Sequence, residues 1–156
     1  MSPRYEEIAV QEAWIDDQTS EDVANFVQIL RNEGAYDVSS QTINMKKNRI
    51  GFLIQAILPI DKQEYFRHLW FKYSNTIGVR ERIQSRWILQ RRRGECSTSF
   101  GKIKFKQTIK SNGAIVTKVE NDEILRLQKE NNMTSQEIRN LINKSMGEFQ
   151  PFEDWR

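Results

Sequence analysis

Apolar residues recur twice along the first half of the chain with the spacing of one helix face. The two sets fall at positions i, i+3, i+4 and i+7, and they are Val23, Phe26, Val27 and Leu30, then Phe66, Leu69, Trp70 and Tyr73. Side chains at those intervals lie on one side of an α-helix, so both segments are predicted to be amphipathic helices.

Polar residues mark where these helices begin and end. Thr19 and Asp22 have the spacing of an N-terminal capping box, and Asp61 with Glu64 repeats that spacing before the second helix. Gly34 lies where a glycine in a left-handed conformation would end the first helix.

Four segments around the helices have strand patterns, namely residues 7–15, 36–45, 50–58 and 79–89. Residues 50–58 are almost entirely apolar, which is typical of a strand buried on both faces. In residues 79–89 apolar and polar positions alternate, and Arg80, Arg82 and Arg86 fall on one face. The resulting order βαββαβ is that of a ferredoxin-like unit, with both helices on one face of a four-stranded antiparallel sheet.

The second half predicts a smaller unit with a hairpin and two helices. Apolar residues alternate with lysines over residues 102–110, Asn112-Gly113 is a strong hairpin turn signal, and residues 114–119 return against the first strand. Helices follow at 122–131 and 135–146, the latter opened by a capping box of Thr134 and Glu137. We therefore predict an α+β fold with a ferredoxin-like subdomain at 5–92, a hairpin and helix-pair subdomain at 93–147 and a loose tail at 148–156. Arg91–Gly94 is interpreted as a connection, more typical of a solvated linker than of a binding patch.

The low numbers of cysteine and histidine residues exclude disulfides and several kinds of metal site. The 156 residues include one cysteine, Cys96, and one histidine, His68, so the chain cannot form an internal disulfide or supply the ligands of a zinc site. Any metal must then be a hard cation held by oxygen, or a partner must supply the ligands. We expect Cys96 to be chemically inert and His68 to be a surface or packed histidine rather than a catalyst. The net charge is only +3, no apolar run is long enough for a membrane span, and the N-terminus lacks a signal peptide core, so a cytoplasmic protein is expected.

Asp16 and Asp17 lie between a predicted strand and a predicted helix N-terminus, where oxygen ligands for Mg²⁺ or Mn²⁺ are often presented. The alternative is that one of them caps the helix and the other complements its dipole. Spacing alone favours that structural role.

Two basic segments are candidates for binding phosphate. Lys46, Lys47 and Arg49 form a tight cationic turn, which is either a phosphate grip or a solvated hairpin tip. Residues 76–80 offer the Thr76 hydroxyl, the small Gly78 and the Arg80 guanidinium, a weak anion-site signal. The arginine face of residues 79–89 could instead contact RNA phosphates, although it lacks the exposed aromatics by which ferredoxin-like sheets bind RNA.

These segments together resemble a known family. The segments concerned are Ile15-Asp16-Asp17 with Thr19, Gly34-Ala35-Tyr36-Asp37-Val38, Met45-Lys46-Lys47-Asn48-Arg49, Thr76-Ile77-Gly78-Val79-Arg80, Phe100-Gly101-Lys102-Ile103, and Glu120 ahead of the terminal helices. Their order and spacing are similar to the C-terminal half of the LarC-type nickel insertion proteins, over about residues 7–142.

The resemblance implies a role in inserting nickel into pyridinium-3,5-bisthiocarboxylic acid mononucleotide, which completes the nickel-pincer cofactor of lactate racemase. The family reaction depends on CTP, and the C-terminal half is associated with a metal–CTP complex and with oligomer formation. On that basis Mg²⁺ or Mn²⁺ would be approached by Asp16, Asp17 or Glu120. The triphosphate would be neutralised or lined by Lys46, Lys47, Arg49, Thr76, Gly78 and Arg80.

The chain also departs from the family pattern. Trp14 stands where relatives usually have Asn, and Ile50 and Val119 stand where they usually have Pro. The family's His- and acid-rich N-terminal half is absent from this sequence, so we expect a split subunit or missing domain as partner, and nickel not to be held by this chain alone. The expected function is the CTP- and metal-binding half of a nickel chelatase, a lyase, that is inactive by itself and self-associates. The alternatives are a small RNA-binding module and a ligand-sensing or oligomerisation module.

Overall fold

A computed structural model describes residues 3–156 and divides the chain into two units, Tyr5–Arg86 and Trp87–Arg156, with Arg4 grouped with the second. Each unit contains a four-stranded sheet and two α-helices, a mixed α+β architecture. Within the described residues, no helix combines the length and the hydrophobicity that crossing a bilayer requires.

The first unit has the predicted βαββαβ order. Its elements are β1 (Arg4–Ile15), α1 (Ser20–Asn32), β2 (Asp37–Met45), β3 (Arg49–Leu58), α2 (Gln63–Tyr73) and β4 (Arg80–Ile88). The strands are arranged β2-β3-β1-β4, so the first strand of the chain is central and pairs antiparallel with β3. The ferredoxin-like prediction is confirmed.

Both helices pack on one face of this sheet. The α1 residues Phe26 and Leu30 and the α2 residues Phe66 and Trp70 are buried, and the Phe26 and Trp70 rings meet edge to face at 5.0 Å. Tyr73, the fourth member of the predicted α2 stripe, is 41% exposed because α2 ends there.

Of the two capping boxes predicted in this unit, the one at α1 is confirmed and the one at α2 is wrong. Thr19 and Asp22 form the expected capping box of α1, and Gly34 follows with φ +97°. The capping role of Asp61 and Glu64 was wrong, because Asp61 lies in a 3₁₀ turn, Ile60–Lys62, and α2 begins only at Gln63 without a side-chain cap.

The expectation that β3 is buried on both faces was also wrong. Ile54, Ala56 and Leu58 are buried beneath the helices, whereas the side chains on the opposite face are half-buried. Ile50 is 67% exposed. An antiparallel sheet covered by helices on one face only leaves its other face accessible, even when the strand sequence is apolar.

The second unit is a four-stranded sheet covered by a helix pair. Its elements are β5 (Arg91–Thr98), β6 (Gly101–Ile109), β7 (Ile115–Val119), α3 (Asn121–Asn131), α4 (Ser135–Ser145) and β8 (Phe149–Pro151), and the strand order is β7-β6-β5-β8. Cys96, Ile103 and Phe105 pack against α3 and α4 residues such as Ile124 and Ile138. The predicted β6–β7 hairpin, the two helices and the Thr134–Glu137 capping box are confirmed.

Two segments of this unit are more ordered than the sequence indicated. Arg91–Gly94 is not a connection but the start of β5, and the supposed loose tail forms β8 against that strand. The pairing continues to the last residue, since the backbones of Arg91 and Arg156 exchange hydrogen bonds of 2.9 and 3.0 Å. Gly94 permits it, because a Cβ there would lie 2.3 Å from both the Gln150 carbonyl oxygen and the Phe149 ring.

We expect Gly94→Ala to loosen this unit and to make Cys96 more reactive. Burial raises the pKa of the Cys96 thiol, which is 1% exposed, so labelling requires local opening. Displacement of β8 should increase the rate of labelling by an aromatic disulfide reagent on the order of tenfold. The control is Gly147→Ala, whose new Cβ would make only an ordinary 3.4 Å contact with the Ser97 carbonyl oxygen. Equal labelling rates for the two variants would contradict the role of Gly94.

Candidate functional site

Three loops of the first unit meet where β1 ends. They are the β1–α1 loop at 16–19, the β2–β3 turn at 46–48 and the α2–β4 loop at 74–79. The guanidinium of Arg49 forms an ion pair of 3.1 Å with the Asp16 carboxylate, and the Asn75 amide donates to the Asp17 carbonyl at 3.1 Å. The structure therefore brings together the candidates that the sequence placed in three separate segments.

Gly51 allows the β2–β3 turn to approach β1. A Cβ at this position would lie 2.7 Å from the Ile15 carbonyl oxygen and 2.5 Å from the Met45 sulfur. A side chain such as Met45 can shift, but the carbonyl oxygen of a central strand cannot. The glycine thus places Arg49 within reach of Asp16.

The β2–β3 turn presents two lysines to solvent. Lys47 and Asn48 both have left-handed backbones, with φ of 61° and 57°, which costs about 1–3 kcal/mol at each non-glycine residue. The side chains of Lys46 and Lys47 are exposed, and within residues 3–156 neither forms an ion pair or a side-chain hydrogen bond. Arg49, by contrast, is held by Asp16.

A cavity of about 320 Å³ lies at the end of β1 and is lined by Trp14 and by residues 76–80. The Arg80 guanidinium stacks on the indole of Trp14 at 4.7 Å, and half of the Trp14 side chain remains exposed. The Thr76 hydroxyl donates to the Gly78 carbonyl at 2.8 Å, so it can accept a further hydrogen bond but is not free to donate one. A Cβ on Gly78 would have no neighbour within 4 Å, and the loop is open on that side.

Neither Asp16 nor Asp17 caps α1, since Thr19 and Asp22 perform that role. Asp16 is half-buried beside Arg49, and Asp17 is exposed with no side-chain partner among the described residues. The part of the chain that the structure describes contains no group of three or more His, Cys, Asp or Glu side chains able to hold a metal. Two carboxylates can still hold Mg²⁺ or Mn²⁺ when ligand phosphates complete the coordination.

Glu120, the third predicted metal ligand, belongs to the second unit. Its backbone N–H donates to the Lys104 carbonyl at 3.0 Å, and its carboxylate lies 3.8 Å from the Lys106 ammonium. It precedes α3 without capping it through its side chain. The metal-binding roles of all three acidic residues remain predictions.

The predicted arginine face of β4 is present, but its charges are paired. Arg80 stacks on Trp14, Arg82 forms an ion pair of 3.1 Å with Glu12, and Arg86 binds Glu6. The hydrogen bond from Arg82, together with one from Gln55, holds the pKa of Glu12 below its usual range. All three partners lie on β1, the neighbouring strand.

Trp14, Gly51 and Asn75 are the site residues that the sequence reasoning missed. The predicted ferredoxin-like order already makes β1 and β4 neighbours, so the contact between Trp14 and Arg80 was accessible from strand pairing. The close approach at Gly51 and the hydrogen bond of Asn75 depend on loop geometry, for which the sequence has no periodic signal.

Comparisons with known proteins agree on one family. A family model described as nickel insertion protein matches residues 2–139. A curated protein of Enterococcus faecalis that is named for nickel insertion is 31% identical over 138 residues, which are 88% of this chain and 42% of that protein. The pyridinium-3,5-bisthiocarboxylic acid mononucleotide nickel insertion protein of Staphylococcus saprophyticus is 31% identical over 118 residues, 76% of this chain and 30% of that protein. The chain therefore spans less than half the length of these relatives.

A solved structure shares the fold. LarC2, described as the C-terminal domain of a cyclometallase involved in the synthesis of the NPN cofactor of lactate racemase, superimposes with a TM-score of 0.80 at 23% identity. The similarity covers 91% of this chain and 98% of LarC2. Two antiparallel four-stranded sheets with four helices are thus a known arrangement, and the α+β prediction is confirmed.

We expect Gly51→Ala to lower the free energy of unfolding by about 2–3 kcal/mol, the range for a backbone clash in a packed region. Gly78→Ala is the matched control, because its Cβ points into open space, and it should change stability by less than about 0.5 kcal/mol. Denaturant unfolding followed by tryptophan fluorescence measures both. Equal effects of the two substitutions would show that the close approach at Gly51 does not stabilise the unit.

Arg82→Gln should raise the pKa of Glu12, since it removes the largest cause of the depression. A carboxylate with a depressed pKa stabilises the fold above its unfolded pKa, and this contribution is lost as pH falls through the folded pKa. The variant should therefore lose less stability on acidification than the wild type. Carboxyl-carbon NMR titration of Glu12 reports the pKa directly, and an unchanged value would place the cause elsewhere.

Proposed function

Because this chain belongs to the nickel insertion protein family, we propose that it is the CTP- and metal-binding part of a protein that completes a nickel-pincer nucleotide cofactor. The names of its relatives supply the substrate class, a pyridinium bisthiocarboxylate mononucleotide. Since the chain spans less than half the length of those relatives, nickel insertion itself would require further protein, and we propose that this chain is inactive alone.

The observation that carries the proposal is the meeting of three loops at the end of β1. Lys46 and Lys47 lie there without protein partners among the described residues, and Arg80 and the exposed Trp14 line a cavity at the end of the same strand. Unpaired ammonium groups bind phosphate as point charges, and a guanidinium can bind it bidentately. An exposed indole also offers a surface on which a nucleobase can stack.

The proposed site also contains oxygen ligands for the cation that accompanies a nucleoside triphosphate. Mg²⁺ is usually held by one or two carboxylates together with phosphates and water. Asp16 and Asp17 are adjacent and not used as helix caps, so they fit that requirement. Arg49 would then exchange part of its contact with Asp16 for a phosphate oxygen.

In this proposal nickel is the substrate rather than a resident cofactor of the chain. Nickel binds imidazole and sulfur ligands well, and the chain contains only His68 and Cys96. His68 is exposed on α2, whereas Cys96 is buried in the core of the second unit. The nickel ligands would therefore come from the sulfur-bearing substrate and from a partner domain or subunit.

The RNA-binding alternative has less support. Two of the three β4 arginines that would contact phosphates, Arg82 and Arg86, are ion-paired with Glu12 and Glu6 of β1. A polyanion would have to displace these partners before it could contact the two arginines. Self-association and the ligand-sensing alternative remain predictions.

The proposal predicts that the chain binds CTP in the presence of Mn²⁺. The double substitution Lys46→Glu/Lys47→Glu should weaken CTP binding at least about tenfold, because charge-assisted hydrogen bonds contribute about 1.5–3 kcal/mol each. Isothermal titration with CTP, ATP and GTP measures affinity and base preference. The control is Lys110→Glu/Lys144→Glu, which makes the same change in net charge at two other exposed lysines of the second unit.

Three outcomes would count against the proposal. No CTP binding by the wild type would remove its basis. Equal weakening by both double variants would show that only overall charge matters. Salt-sensitive RNA binding without any nucleotide preference would favour the RNA-binding alternative instead.

A further inference from the structure

Two of the pockets in the second unit share a wall. The wide pocket, about 360 Å³, is lined by Arg93, Gly94, Lys104, Phe105, Glu120, Asp122, Glu123 and Phe152. The narrow pocket, about 90 Å³, is lined by Arg91, Arg92, Arg93, Lys106, Glu120 and Arg156. Arg93 and Glu120 belong to both. None of the cations in these pockets has a role in the proposed function.

Strand register concentrates positive charge at this wall. Arg93 pairs with Lys106 across β5 and β6, so their side chains emerge on the same face of the sheet as neighbours. Arg91 and Lys104 lie two residues away along their strands and so share that face. This face is opposite the helices, because the alternate residues Cys96, Ile103 and Phe105 form the core.

Only some of these cations have partners. The Arg92 guanidinium donates to the Gln107 side chain at 2.9 Å and stacks on Trp155 at 4.4 Å, and Arg156 forms an ion pair of 3.3 Å with Glu153. Lys106 lies at 3.8 Å from Glu120. Within residues 3–156, the side chains of Arg91 and Arg93 have no ion-pair or hydrogen-bond partner.

We propose that the narrow pocket binds the phosphate group of a small phosphorylated ligand, with Arg91, Arg93 and Lys106 as its main contacts. Guanidinium groups match phosphate oxygens bidentately, and a third cation on the adjacent strand completes a triangular arrangement around one tetrahedral anion. The remainder of the ligand extends into the wide pocket, where the half-exposed Phe152 offers an apolar surface. This site lies entirely within the second unit and does not depend on the proposed function.

The acidic residues favour a small ligand over a nucleic acid. Glu120, Asp122 and Glu123 line the wide pocket, where they would repel the neighbouring phosphates of a continuous backbone. Further along the same face, Lys102 is already paired with Glu95. Lys104 and Lys118 on this face are also unpaired within the described residues, so the acidic side chains of the wide pocket, rather than a shortage of cations, disfavour a continuous phosphate backbone.

Glu120 provides a sensitive test, because it lies between the two pockets. If the ligand is an anion, the Glu120 carboxylate opposes binding and also competes for Lys106. Glu120→Gln should then strengthen phosphate binding several-fold in the absence of metal. If Glu120 instead holds a cation that bridges to the ligand, the same substitution should weaken binding, and only when Mn²⁺ is present.

The experiment is a titration of the full chain with pyrophosphate, AMP and adenosine, followed by amide NMR shifts and calorimetry without divalent metal. We expect pyrophosphate and AMP to bind saturably at millimolar concentrations or below and to perturb residues 91–93 and 104–106, whereas adenosine does not. Free phosphate and a nucleotide phosphate are distinguished by Phe152→Ala, which should weaken AMP but leave pyrophosphate unchanged.

Arg93→Gln should reduce the affinity for pyrophosphate on the order of tenfold, since it removes a charged donor common to both pockets. Lys102→Gln is the matched control on the same strand face and should have no effect. Because pyrophosphate can also bind at the proposed site of Lys46 and Lys47, the affinity of the narrow pocket is taken from the amide shifts of residues 91–93 and 104–106. Circular dichroism confirms that each variant is folded. The proposal is overturned if pyrophosphate fails to bind, if Lys102→Gln weakens binding as much as Arg93→Gln, or if Glu120→Gln weakens metal-free binding. A single-stranded oligonucleotide that binds far more tightly than pyrophosphate, with steep salt dependence, would also overturn it.

Discussion

The antiparallel pairing of β1 with β3 is the constraint on which the candidate site depends. Ile15 is registered against Phe52, so the turn that precedes β3 must lie beside the loop that follows β1. Gly51 makes the contact close enough for Arg49 to reach Asp16. Because β4 flanks β1 on its other side, the α2–β4 loop arrives at the same edge and brings Arg80 over Trp14. Three segments far apart in the chain thereby contribute to one surface, and no long-range ion pair other than that of Arg49 is needed to assemble it.

The second constraint is which positively charged side chains already form ion pairs or stack on aromatic rings. The net charge of +3 does not reveal this. In the first unit the β4 arginines are matched with β1 side chains and contribute to the sheet, whereas Lys46 and Lys47 on the turn are not matched. The second unit repeats this division, with Arg92 fixed beside Trp155 and Arg93 left free of a side-chain partner in the described residues. Exposed ion pairs contribute little stability, and an arginine in an ion pair must exchange that partner before it can bind an anion. Unpaired cations at ordered positions are therefore better indicators of binding than runs of basic sequence.

Periodic and local signals predicted most of the fold. The helix stripes, the Thr19 and Thr134 capping boxes and the Asn112-Gly113 hairpin each depend on a few neighbouring residues, and the structure contains all of them. The failures at β8 and in the burial of β3 share one physical cause, since each depends on a distant partner, whereas the capping signal of Asp61 and Glu64 failed locally because the chain forms a 3₁₀ turn there. Residues 148–156 have no strand pattern of their own and become ordered only because Gly94 leaves room for Phe149. The site behaves in the same way: the candidate residues were identifiable from charge, but the pairing of Asp16 with Arg49 and the assignment of Glu120 to the second unit required the fold.

The chain has few nitrogen and sulfur ligands for a metal, and the buried position of the Cys96 thiol reduces their number further. A soft metal ligand must be both deprotonated and accessible, and Cys96 is neither, because burial raises the pKa of its thiol and leaves it 1% exposed. His68 is accessible, but in the described part of the chain it belongs to no group of three or more His, Cys, Asp or Glu side chains that could hold a metal. A single imidazole binds nickel too weakly to hold it against competing ligands. The number of ligands and their coordination geometry therefore decide where the nickel is bound. Under the proposed function, the functional groups of this chain would therefore bind the phosphates and the hard cation that accompanies them. Oxygen ligands and positive charges would be supplied by this chain, and sulfur and nitrogen donors by the substrate or by a partner.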